Sequence, residues 1–191
     1  MARWFFEPGH TSAEFCARHM MVTCVRGHFK NVHGSLVYDE ADPLSATMEA
    51  VIEARGIWTG EEQRDAHLRS ADFLDVERHP EIRFRGKVAG RFGATEFKVN
   101  GELSIRDIVR PVVLDVRALG TWSTPWWEGN VDKGPRLRAG FLATTSINRH
   151  DFGVSWNSPL DRGGVVVGDR IDITIDAEAI REDDSASRTA G

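Results

Sequence analysis

The stretch ATMEAVIEA (residues 46–54) decides the fold. Ala46, Met48, Ala50, Ile52 and Ala54 fall on alternate positions, Thr47, Glu49 and Glu53 take the others, and Val51 breaks the pattern. Side chains of a strand point to opposite faces with a period of two, so this is a half-buried β-strand with one dry face. The same alternation returns in EIRFRGKVAGRF (81–92) through Ile82, Phe84, Val88 and Phe92, and in TEFKVNGELSIR (95–106) through Phe97, Val99, Leu103 and Ile105. It returns again in RIDITIDAEA (170–179) through Ile171, Ile173, Ile175, Ala177 and Ala179. Weaker versions at 12–17, 28–39, 111–121 and 136–146 bring the expected number to about eight strands.

One wet and one dry face is the habit of antiparallel sheets, and short turns such as Gly93-Ala94 favour hairpins over helical crossovers. With little helix available to cover it, the dry face must cover itself, and a closed barrel does so while removing the sheet edges. The expected class is all-β, a single antiparallel barrel of about eight strands with one or two short helices. The barrel is expected over residues 1–181. The small, polar end of the chain predicts a disordered tail over 182–191.

Composition narrows the function. The chain has 191 residues, of which 41% are hydrophobic and 28% charged, and its formal net charge is -5. Such a chain lacks the basic field that supplies most affinity for nucleic acid, and no apolar run is long enough to span a bilayer as a helix. The opening MARWFFEPGH carries no secretory signal pattern, and the two cysteines, Cys16 and Cys24, match no metal or disulfide framework. A cytoplasmic protein with two reduced thiols is the expectation.

The dry faces hold many small residues: Ala46, Ala50, Ala54, Gly86, Gly90, Gly101, Ala139, Ala143, Ala177 and Ala179. A barrel of this size either fills with side chains or holds one small ligand. Small inward residues therefore point either to an apolar cavity or to a taper in which large and small side chains alternate. On the cavity reading Ala50, Ile52, Phe84, Phe141 and Ala177 face the ligand.

The segment TGEEQRDAHLRS (59–70) reads as a short helix with Thr59 as N-cap and Glu62 as its capping-box partner. Arg64, His67 and Leu68 share one face of it. Arg64, His67 and Arg69, together with Arg149 and His150 of INRHDFG, are candidates to face an anionic head group at a barrel mouth; the alternative is a solvated helix and a locally bonded turn. STPWWEGN (123–130) reads as a mobile loop that could act as a lid. Of the seven histidines, His10, His19 and His28 recur at even spacing and His33 follows His28, but no close-spaced Cys/His motif makes a specific metal site. No G-x-S-x-G turn or phosphate-binding glycine loop is present.

Taken in order, HTSAEFCARHMMVTCVRGHF, TGEEQRDAHLRSADFLDVERHPEIRF, VNGELSIRDIVRPVVLDV, AGFLATTSINRHDFGV and VGDRIDITIDAEA resemble the successive motifs of the YceI-like family over about residues 4–180. The resemblance implies a lipocalin-like extended barrel with an interior pore that holds a polyisoprenoid or another long-chain amphiphile. Carried over motif by motif, it places Phe15, His19 and Met20 near the pore. Trp58, Arg64, Asp65, His67, Leu68 and Phe73, and Asn148, Arg149 and Phe152, come at or near its mouth.

The leading reading is a non-enzymatic carrier whose ligand is a long-chain isoprenoid or fatty lipid, with no other cofactor and no nucleic-acid partner. Association of two chains is left open. The runner-up is an enzyme in which His19, His67 or His79 binds a metal or moves protons in the same pore.

Overall fold

The alternating segments become ten β-strands in the computed structural model, which describes residues 1–39 and 41–182. They are β1 (Ala2–Phe6), β2 (Ser12–His19), β3 (Thr23–Phe29), β4 (Val32–Tyr38), β5 (Thr47–Glu53), β6 (Glu81–Arg91), β7 (Glu96–Ile105), β8 (Ile108–Glu128), β9 (Val131–Asn148) and β10 (Val167–Arg181). All pairings are antiparallel, in the order β1-β4-β5-β6-β7-β8-β9-β10, and a further β1–β10 pairing closes this ring of eight. The hairpin β2–β3 adds to the free half of β10, beyond the stretch that β1 occupies. Thus β1 and β2 share one edge of β10, split at the turn 7–11.

The barrel expected from alternation is therefore present, and two details differ. The stretch ARWFF was not among the expected strands, yet as β1 it supplies the closure, with Trp4, 4% exposed, donating its indole N–H to the Tyr38 carbonyl at 3.2 Å. The expected strand 28–39 is broken at Lys30-Asn31, where Asn31 takes a positive φ of 59° and turns the chain from β3 into β4.

STPWWEGN is not a loop between strands. Its first six residues continue β8, which pairs through Glu128 with Val131 of β9 to make a long two-stranded ribbon. Its aromatic and β-branched side chains suit a pleated strand, and ladder pairing outweighs the turn signal of Pro125. The tight β7–β8 turn places Arg106 and Asp107 at φ of 52° and 60°, the left-handed pair that a two-residue hairpin turn requires.

The helix is short: α1 (Glu62–Arg69) lies in the connection from β5 to β6. Its cap is Glu61, whose carboxylate accepts from the amides of Gln63 and Arg64 at 3.0 and 2.7 Å. Thr59 is not the cap because its hydroxyl is already bonded to Asp65 and Arg64. Of the tail expected at 182–191, Glu182 donates its amide to the Arg3 carbonyl at 2.9 Å; the rest lies outside the described residues.

Three apolar clusters are spaced along the barrel. Trp4, Leu36, Tyr38, Ala46, Ala139 and Ala179 gather where β1 closes the ring. Val99, Leu114 and Ala143 lie midway. Phe29, Ala54, Ile57, Val76 and Ile82 gather at the other end, beneath α1.

Candidate functional site

The three clusters do not fill the interior. A cavity of about 300 Å³ runs along it, from Phe6, Thr11, Tyr38 and Pro43 at the β1 end to Leu68, Phe73, Leu74 and Val154 at the α1 end. Its lining repeats the sequence alternation strand by strand: Met48, Ala50 and Ile52 on β5, Ile82, Phe84 and Val88 on β6, Ile171, Ile173, Ile175 and Ala177 on β10. Such a wall is almost wholly aliphatic and aromatic, which suits an apolar guest and offers water few partners.

The small residues serve both purposes weighed for them. Ala50 sits opposite Phe84, and Ala177 opposite Phe141, so small side chains give room beside large ones. Gly86 and Gly101 face each other across β6 and β7, and a Cβ on either would collide with the Phe84 ring, at 2.7 and 2.4 Å. Phe84 therefore lies flat over a glycine pair instead of standing across the barrel, and this helps keep the cavity open.

Among the candidates, Phe15, Ala50, Ile52, Leu68, Phe73, Phe84, Phe141, Arg149, Phe152 and Ala177 line this cavity. The structure does not bring His19, Met20, Trp58, Arg64, Asp65, His67 and Asn148 to the lining. His19 ends β2 opposite Thr23, and Met20, 46% exposed, begins the following turn with φ of 47°. Trp58 bridges to His28 through paired backbone hydrogen bonds of 2.9 and 3.1 Å, and the two rings stack at 4.9 Å on the outside.

The polar residues of α1 are spent locally. Asp65, buried, accepts from the Thr59 amide at 2.9 Å and from its hydroxyl. Arg64 donates to the Thr59 hydroxyl at 2.7 Å and to its carbonyl at 3.0 Å. His67 pairs with Asp72 at 2.9 Å and packs edge-on against Phe73 and Trp156, at 5.0 and 4.8 Å between centroids. Asn148 caps the short turn Arg149–Phe152, its side chain accepting from the His150 amide at 2.9 Å.

Arg149 is the exception in position but not in role. It reaches the lining, is only 4% exposed, and donates to the carbonyls of Gly168, Val154, Trp156 and Val167 at 2.8–3.2 Å. Burial lowers its pKa from the ordinary arginine value, with Asp169 at 3.8 Å working the other way. With all three nitrogens engaged, the guanidinium ties β10 to the loop that follows β9, and its donors are not directed at a ligand.

The residues proposed for chemistry do not converge. His79 pairs with Asp107 at 2.7 Å whereas His67 pairs with Asp72, and none of the described histidines lines the cavity. Cys16 and Cys24 lie diagonally on the β2–β3 hairpin as free thiols. Burial, and then Cys24, pushes the Cys16 thiol above its usual range, which favours the thiol over the thiolate. Several lining residues were not among the candidates, notably Val112, Leu114 and Val116 of β8 and Ile171, Ile173 and Ile175 of β10. The alternation that marked their neighbours marks them as well.

Comparison with known proteins gives a consistent picture. The family model described as YceI-like domain matches residues 4–179. A UPF0312 protein of Pseudomonas putida strain W619 is 27% identical over 176 residues, covering 92% of this chain and 84% of the relative. Among solved structures, Burkholderia cenocepacia BcnA superposes with a TM-score of 0.72 at 18% identity, covering 91% of this chain and 98% of its own. A polyisoprenoid binding domain from Saccharophagus degradans, implicated in plant cell wall breakdown, superposes with a TM-score of 0.62 at 12% identity, covering 95% of this chain and all of its own. At these identities the structural likeness speaks for the fold.

Proposed function

The chain belongs to the YceI-like domain family, and on that footing we propose that it binds a long-chain isoprenoid or similar amphiphile inside the barrel and carries it chemically unchanged. The observation that carries this reading is the apolar cavity running from the β1 end to the α1 end. The polyisoprenoid binding domain of Saccharophagus degradans, built on the same fold, supports the ligand class.

The tail supplies the affinity. Each methylene removed from water contributes about 0.8 kcal/mol, so a chain of many methylenes offsets the cost of ordering it. The head group contributes little, because of the two cations at the lining Arg149 already holds four carbonyls and Arg83 pairs with Glu81. Specificity then rests on tail length and girth, and heads of different charge are tolerated. The acid–base reading has no histidine at the wall to rest on. Two unpaired thiols suit a reducing compartment, and we place the carrier in the cytoplasm.

Native mass spectrometry of the purified chain, followed by organic extraction, tests the reading. It predicts one long-chain species per barrel, or uptake of one equivalent of an added polyprenol when the barrel is purified empty. A barrel that is purified empty and takes up no long-chain lipid overturns it.

A further inference from the structure

The turn that splits β1 from β2 reads Glu7-Pro8-Gly9-His10, closed by a hydrogen bond from the His10 amide to the Glu7 carbonyl at 3.2 Å. The Glu7 amide in turn donates to the carbonyl of Glu178 on β10 at 2.9 Å, which sets the turn against that strand. Three side chains meet there. His10 Nδ1 lies 3.2 Å from Glu7 Oε2 and 3.3 Å from both carboxylate oxygens of Glu178, and the donor atoms of all three residues fall within 4.8 Å of one another.

We propose that Glu7, His10 and Glu178 form a binding site for one divalent transition-metal ion of the zinc type. Zinc bonds to nitrogen and carboxylate oxygen are about 2.1 Å long, so neighbouring donors in a tetrahedral shell stand about 3.4 Å apart. The spacing of His10 Nδ1 from the two carboxylates matches that edge. One imidazole with two carboxylates is a donor set of mixed hardness, suited to a first-row dication such as zinc and less so to calcium or magnesium, which prefer an all-oxygen shell.

A second observation points the same way. Glu7 Oε2 is buried and accepts no hydrogen bond from the described residues; what faces it is the His10 ring, with Nδ1 at 3.2 Å. A buried anionic oxygen left without a donor is costly. It is held there by its seat: the carboxylate folds back over Gly9, where a Cβ would stand 3.1 Å from Oε2. Pro8 limits the turn on the other side. The arrangement presents an unsatisfied carboxylate oxygen to the imidazole nitrogen, with two of its three ligands on one short turn.

Arg138 of β9 is the competitor. It pairs with Oε1 of Glu178 and also lies over the Trp126 ring at 5.2 Å. It neutralises Glu178 when no metal is bound and retains the ring as a partner when the metal takes the carboxylate. His10 is largely exposed, so the fourth coordination position falls to solvent. None of the three ligands lines the cavity, so the site is independent of lipid binding. Its effect is structural: the ion joins the β1–β2 turn to β10 beside the pairing that closes the barrel, and binding to the folded state alone raises its stability.

Calorimetric titration of the chelator-stripped full chain with zinc chloride, paired with thermal unfolding with and without zinc, tests the proposal. The expected result is a single saturable site and a zinc-dependent rise in Tm. His10→Ala and Glu7→Gln should each weaken binding about tenfold or more and remove the Tm rise. Arg138→Gln should tighten binding, while His28→Ala and His33→Ala leave it unchanged. Because His10 is exposed, its replacement does not threaten folding. No saturable uptake of one zinc, uptake that survives both His10→Ala and Glu7→Gln, or uptake lost with His28 or His33 overturns the assignment.

Discussion

The barrel wall and the segment that joins β5 to β6 put their side chains to different uses. On the wall, alternate residues face a shared space: Ala50, Ile52, Phe84 and Ala177 line one continuous cavity although they come from three strands. In the α1 segment the charged residues turn to their own neighbours. Asp65 and Arg64 both bond to Thr59, and His67 pairs with Asp72. Arg149, from the turn after β9, joins this second group by holding four backbone carbonyls. In this chain dense charge therefore coincides with a connection that is tied down, and small inward residues coincide with the cavity. Wall substitutions should change ligand uptake while sparing the fold, and substitutions at the polar end should do the reverse.

The largest stability effect is expected at Arg149. Arg149→Met removes every donor from four carbonyls in a site that is 4% exposed, and breaking a buried charged network of this kind costs about 3–5 kcal/mol. Urea unfolding measures the loss, and lipid uptake under conditions where the variant is folded should remain. Loss of uptake with unchanged stability would move Arg149 into the ligand-binding group. Asp65→Ala is the smaller test. It leaves the Thr59 amide and hydroxyl without their acceptor and should cost about 1–3 kcal/mol, again with uptake retained. An uptake defect in Asp65→Ala at full stability would break the division between the two regions.

Much of this division was legible before the structure. Period-two alternation is a direct consequence of strand geometry, so Met48, Ala50 and Ile52 or Ile173, Ile175 and Ala177 could be assigned to the inside from spacing alone. The closing strand β1 was harder to see, since ARWFF is too short, and its Trp-Phe-Phe run too apolar, for alternation to stand out. Its role depends on pairing with partners in β4 and β10 that lie thirty or more and more than a hundred and seventy residues away in sequence. The helix was placed correctly, but its cap was misassigned, because Thr59 fits the N-cap composition rule and Glu61 does not, and only the bonds of Thr59 to Asp65 and Arg64 and of Glu61 to the first amides reveal the exchange. The same limit applies to the roles of Arg64, His67 and Arg149. Spacing shows that such residues share a face, and only tertiary structure shows whether their donors are already taken. The cluster of Glu7, His10 and Glu178 was invisible for that reason, since its third member comes from the far end of the chain.

Lipid uptake by Ala50→Trp and Ala177→Trp tests the central claim most directly, with circular dichroism on the same samples to report the fold. Each substitution places an indole in the cavity from a different strand. The account predicts that both variants remain β-rich while uptake of a long-chain polyprenol falls about tenfold or more, because an indole takes up cavity space the tail needs. Unchanged uptake in both folded variants would contradict it and place the ligand outside the barrel.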